Sequence, residues 1–78
     1  MDYESLGNTI RKYRKLRGYT QEHLSEYVNI SSVFMSQIEN ASRKPSLETV
    51  VKIATELNIS IDVLVNNIPS NIVSDFID

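Results

Sequence analysis

Apolar residues recur along this chain at spacings of three and four, and nowhere alternate with polar ones long enough to suggest a strand. Tyr3, Leu6, Ile10, Tyr13 and Leu16 share one face of a predicted first helix running to Arg17, with Gly18 as its stop. Thr20 offers a hydroxyl N-cap for a second helix through Val28, with Leu24 and Val28 facing inward. Ser31 caps a third, ending at Glu39 or Asn40, whose inward positions are Met35 and Ile38. Pro45-Ser46 opens a fourth, with Leu47, Val50, Val51, Ala54 and Leu57 on its buried stripe and Asn58 as its stop. Ser60 caps a short fifth helix over Ile61 to Val65, with Val63 or Leu64 inward. Hydroxyl caps at these successive starts agree with the periodicity, and the chain reads as all-α.

Beyond Asn66-Asn67-Ile68-Pro69 the pattern weakens. Ser70 offers a cap for a last turn or two in which Ile72, Val73, Phe76 and Ile77 share a face. A segment that short is unstable alone, so it docks or stays disordered. The expected organisation is one domain over residues 1–67, with its central helix pair at about 20–40, and a tail over 68–78. The tail and fifth helix carry Ile61, Val65, Ile68, Ile72, Val73 and Phe76, a candidate dimerisation surface.

Seventy-eight residues make one small domain with little surplus stability, which an oligomer or partner would supplement. There is no cysteine, hence no disulfide and no thiolate metal site. The single histidine, His23, has no second imidazole to share a metal with, and Glu22 and Glu26 are simply one turn apart on a surface helix. No glycine-rich phosphate loop or nucleophile-base arrangement is present, so neither an enzyme nor a cofactor is expected. With no signal-peptide pattern and no apolar run near the ~20 residues that span a bilayer, the reading is cytoplasmic, away from membranes.

The net charge of −2 argues against a nucleic-acid binder until its distribution is considered. Seven basic and five acidic residues precede position 46, one basic and five acidic follow, giving local balances of +2 and −4. Binding responds to the local field rather than to the total.

The two short helices over 20–40 meet at Asn29-Ile30-Ser31, a corner of three or four residues, as in a helix-turn-helix unit. Asn29 tolerates the left-handed conformation such a corner needs, and small Ser25 lets the helices approach behind it. Leu24, Val28, Ile30, Met35 and Ile38 lock the pair to the core. Ser32, Val33, Ser36 and Gln37 are left on the outer side of the second helix.

A longer series of residues fits one family. Leu6-Gly7, Ile10, Arg14, Gly18-Tyr19-Thr20-Gln21, Leu24-Ser25, Asn29-Ile30-Ser31, Ser36-Gln37-Ile38-Glu39, Pro45-Ser46-Leu47, Ile53-Ala54 and Leu57 stand in the order and spacing of the phage repressor and Cro-type (Xre-like) helix-turn-helix regulators. The chain resembles this family over residues 6–65. It departs at Ser25, usually alanine, at Asn29, usually glycine, and at Ala41, where glycine often ends the recognition helix. The resemblance implies a compact five-helix, lambda-repressor-like DNA-binding domain with a short C-terminal tail or extra helix. The third helix would enter the major groove while the second crosses the backbone.

On that footing Ser32, Val33, Ser36 and Gln37 are the candidates for reading bases: glutamine pairs with adenine, serine is permissive, and a valine methyl packs on thymine. Gln21, Asn40, Arg43 and Lys44 are the candidates for the DNA backbone, and Arg14 with Glu39 is expected as a structural ion pair that orients the recognition helix. Phe34 fits either the core edge or a surface near DNA or a second subunit. The cations Arg11, Lys12, Lys15 and Arg17 fan around the first helix, which suits solubility and long-range attraction better than one phosphate patch.

The implied function is a sequence-specific double-stranded DNA-binding transcriptional regulator, a repressor binding an inverted repeat as a homodimer. The alternative is an interaction module, an antitoxin or co-regulator acting through a protein partner, served by the acidic half and the apolar tail. Such a module has no need of Gln21, Gln37, Asn40, Arg43 and Lys44 together.

Overall fold

The structure is a computed structural model that describes residues 2–65; the expected tail over 68–78 and the domain boundary at 67 lie outside them. The described residues form five helices: α1 (Tyr3–Leu16), α2 (Gln21–Tyr27), α3 (Ser32–Glu39), α4 (Leu47–Glu56) and α5 (Ile61–Val65). Three starts are capped by hydroxyls. Thr20, Ser31 and Ser46 accept from the backbone N–H of His23, Phe34 and Thr49, three residues ahead in each case. Asp2 does the same for α1, accepting from the N–H and the hydroxyl of Ser5. At α5 the Val63 N–H donates to the backbone carbonyl of Ser60.

Four helices end in one way. Gly18, Asn29, Ala41 and Asn58 follow the last turns of α1 to α4, each at positive φ between 56° and 77°. In each case this residue's N–H and that of the next residue return to carbonyls of the last turn, as Gly18 to Lys15 and Tyr19 to Arg14 in α1. The residue after the turn is apolar and half-buried at Tyr19, Ile30 and Ile59, but it is Ser42 at the end of α3. Asn29 and Asn58 adopt the left-handed conformation more readily than other non-glycines, whereas Ala41 does so against the preference of its Cβ.

The core is made by Leu6 and Ile10 of α1, Leu24, Val28, Met35 and Ile38 of the α2–α3 pair, Val50, Ile53, Ala54 and Leu57 around α4, and Leu64 of α5. Fully burying such side chains contributes roughly 1.5–3 kcal/mol each before ordering entropy is set against it. Phe34 packs at the core edge. Two expected core positions are on the surface instead. Val51 is 44% exposed because successive helical residues point 100° apart and Val50 takes the inward direction. Leu16, at the last position of α1, is 65% exposed. In α5 it is Leu64 that is fully buried, with Val63 half-buried.

α1 reaches α3 closely because of Gly7. A Cβ there would lie 2.6 Å from the Ile38 carbonyl oxygen and closer still to that of Glu39. The absent side chain thus fixes how near the end of α3 comes to α1.

A candidate nucleic-acid interface on α2 and α3

The corner at Asn29 turns α3 away from α2, so the two leave an open cleft of about 760 Å³ on one face. Gln21 lines it from the first turn of α2, and Ser32, Val33, Ser36 and Gln37 line it from α3. Val33 is 66% exposed, while Ser32, Ser36 and Gln37 are half-buried. All four residues expected to read bases therefore lie on one continuous surface with Gln21.

Behind this surface is a buried ionic cluster. Arg14 Nε donates to Glu39 Oε2 at 2.7 Å and its Nη2 to Oε1 at 3.0 Å, a two-point pairing that fixes both side chains. Arg14 Nη1 donates to the Tyr19 carbonyl at 2.8 Å, tying the pair to the loop before α2. Arg11 Nε approaches Glu39 Oε1 at 3.4 Å, and Gln21 Nε2 donates to the same oxygen at 3.1 Å. Glu39 thus collects donors from α1 and α2 at the end of α3, and no buried side-chain polar atom among the described residues lacks a partner. A carboxylate so placed would carry a large desolvation penalty if its partners were removed.

The loop after α3 carries the other expected backbone contacts. Asn40 Oδ1 accepts from the Ser42 N–H at 2.9 Å, and the N–H groups of Ser42 and Arg43 both donate to the Gln37 carbonyl. Asn40, an exposed residue, therefore uses its side-chain acceptor within the loop. Arg43 and Lys44 are exposed, with the Lys44 ammonium 5.3 Å from the centre of the Tyr3 ring. The structure brings Gln21 to the cleft with the four reading candidates and places Asn40, Arg43 and Lys44 in the loop beyond.

Several pairings were not read from the sequence. Arg17 Nε donates to the Leu57 carbonyl at 2.7 Å, where a cation suits the end of α4. Lys12 lies over the Tyr13 ring at 5.7 Å. Tyr19 stacks tilted on Tyr27 at 5.6 Å and its hydroxyl reaches Glu56 at 3.4 Å; burial, reinforced by that carboxylate, raises the Tyr19 phenol above its ordinary value. The Asp2 cap has a local signal, an aspartate directly before the first helical residue. His23 is exposed, and among the described residues no cluster of His, Cys, Asp or Glu is arranged to hold a metal.

A tight corner, a buried brace behind it and a polar face in front define a helix-turn-helix DNA-binding domain. The Helix-turn-helix family (HTH_3) matches residues 10–64, and the chain belongs to it. The HTH-type transcriptional regulator YazB of Bacillus subtilis is 42% identical over 64 residues, 82% of this chain and 93% of YazB. SinR of Bacillus licheniformis, also an HTH-type transcriptional regulator, is 32% identical over 62 residues, 78% of this chain but only 56% of SinR. Among solved structures, SinR in complex with DNA is 30% identical with a TM-score of 0.73, covering 77% of this chain and 97% of that one. The restriction-modification controller protein C.AhdI from Aeromonas hydrophila reaches 0.78 at 28% identity, covering 81% and 96%. By family and fold this chain is a helix-turn-helix transcriptional regulator with a lambda-repressor-like architecture.

Proposed function

We propose that the chain is a cytoplasmic, non-enzymatic repressor that binds an inverted-repeat operator in double-stranded DNA as a homodimer. In this reading α3 lies in the major groove. Ser32, Val33, Ser36 and Gln37 meet base edges, while Gln21, Asn40, Arg43 and Lys44 grip the flanking phosphates. The observation that carries the reading is the cleft itself: Gln21 and the four α3 residues form one face with a single exposed apolar side chain, Val33. The likeness to SinR in its DNA complex supports the same orientation. Arg14 and Glu39 act behind the face by holding the end of α3 against α1. A dimer would set its two recognition helices about 34 Å apart, one helical turn of DNA.

A second reading, action through a partner protein, draws on the other side of the molecule. Tyr27, 62% exposed, and Val51 line a second cleft of about 280 Å³ between α2 and α4. Selection of bound duplexes from a random DNA library separates the two. Recovery of a palindrome with half-sites one turn apart supports the homodimeric repressor reading. Failure to enrich any sequence would refute it and favour the partner-dependent one.

A further inference from the structure

Gln21 touches both the buried cluster and the open face. Its side chain lines the cleft with Ser32, Ser36 and Gln37, and its Nε2 lies 3.1 Å from Glu39 Oε1. An ionised carboxylate only accepts hydrogen bonds, so the Gln21 atom facing it has to be the amide nitrogen. That nitrogen carries two hydrogens in the fixed plane of the amide. With one on Glu39, the second points away from the carboxylate. A donor at the position of Glu39 would turn the amide over and present its oxygen instead, which would repel a phosphate.

We infer that Glu39 is a positioning residue for DNA binding: it holds the Gln21 amide so that the second N–H is offered to a backbone phosphate. This rests on the operator-binding reading and adds a route to it. The Arg14 guanidinium, the buried carboxylate, the Gln21 amide and a phosphate become one chain of hydrogen bonds, with Arg11, 42% exposed in its side chain, adding a second cation to the cluster. Two guanidiniums around one carboxylate leave the cluster net positive, a charge that suits a phosphate.

Replacing Glu39 by leucine tests the route. Oε1 accepts from Arg14 Nη2, Gln21 and Arg11 together, so a glutamine would keep its oxygen on that side and still hold the Gln21 amide, whereas leucine removes both oxygens. Affinity is measured for the wild type, Gln21→Ala, Glu39→Leu and the double variant. The probe is a mixed-sequence duplex of about 30 base pairs, long enough for half-sites one turn apart. All four are compared where circular dichroism shows them folded. Gln21→Ala is expected to weaken binding about tenfold, and Glu39→Leu to weaken the wild type comparably while changing the Gln21→Ala protein by less than about twofold. Equal losses in both backgrounds would overturn the inference and leave Glu39 acting only on the placement of α3. A wild type that binds no duplex would overturn the operator reading and this inference together. Should Glu39→Leu fail to fold, the Gln21 side-chain amide resonances of the wild type decide. One proton shifting on addition of duplex while the other holds supports the route, and neither shifting refutes it.

Discussion

Gly7 on α1 rests directly against the backbone carbonyl of Glu39, the last residue of α3. No side chain intervenes at this crossing, so the end of α3 is set by backbone against backbone. The Glu39 side chain then leaves this contact for Arg14. Two independent restraints, one steric and one ionic, converge on a single residue of α3.

Gly7→Ala should therefore destabilise the domain even though alanine is the better helix former. The added methyl would meet carbonyl oxygens, which cannot swing aside as a flexible side chain can, and relief requires moving a helix. A loss of about 1–3 kcal/mol is expected, read as a lower midpoint in urea unfolding. An unchanged midpoint would mean that α1 and α3 are less tightly docked than the geometry indicates.

Ala41→Gly should have the opposite sign. Ala41 holds φ +65°, a conformation that disfavours a Cβ and that glycine adopts freely. Stabilisation of about 1 kcal/mol is expected, reduced by the greater freedom of glycine in the unfolded chain. Thermal unfolding measures it, and a fall in Tm would contradict the strain.

Two titrations bear on the ends of the pH range. The Asp2 carboxyl is held below its ordinary 3.8 by the Ser5 hydroxyl and N–H. Its contribution is complete above 3.8 and disappears as pH falls through the lowered value, so Asp2→Asn should flatten that part of the acid unfolding curve. Tyr19 has its ordinary value of 10.0 raised, chiefly by burial. Its contribution is complete below pH 10 and is lost as pH rises through the raised value; Tyr19→Phe should remove that alkaline loss. Stability against pH for the two variants checks both signs.

Gln37→Ala and Arg43→Ala should separate reading from gripping. The first is expected to relax preference at one or two base positions while leaving binding to scrambled duplexes nearly intact. The second should weaken all sequences alike and lower the salt slope by about one unit. Salt titrations on matched and scrambled duplexes distinguish them. Identical behaviour of the two variants would mean the assigned roles are wrong.

Most of the fold was legible because its signals are local. A hydroxyl three residues before the amide it caps, or an asparagine at a helix stop, is visible within a few positions of sequence. Val51 was misplaced because Val50 and Val51 look alike to a hydrophobicity pattern, while only one direction around α4 leads inward. Leu16 failed for a related reason: it fits the spacing, but lies at the edge of the stripe where α1 ends. The candidate reading face followed from what the core residues of α3 left over, together with family resemblance. Gln21 meeting Glu39 was illegible, since the partners are 18 residues apart and neither residue type announces the other.

The stops shared by the first four helices have a consequence for how such a domain can change. Each fixes a helix length through backbone bonds, and the core takes only the inward residues of α3, so Ser32, Val33 and Gln37 carry little of the folding burden. The outward face of α3 can be rewritten with the frame left standing. One scaffold of this size can thus be issued in many versions, each with a different outward face on α3, at little risk to the fold that presents it.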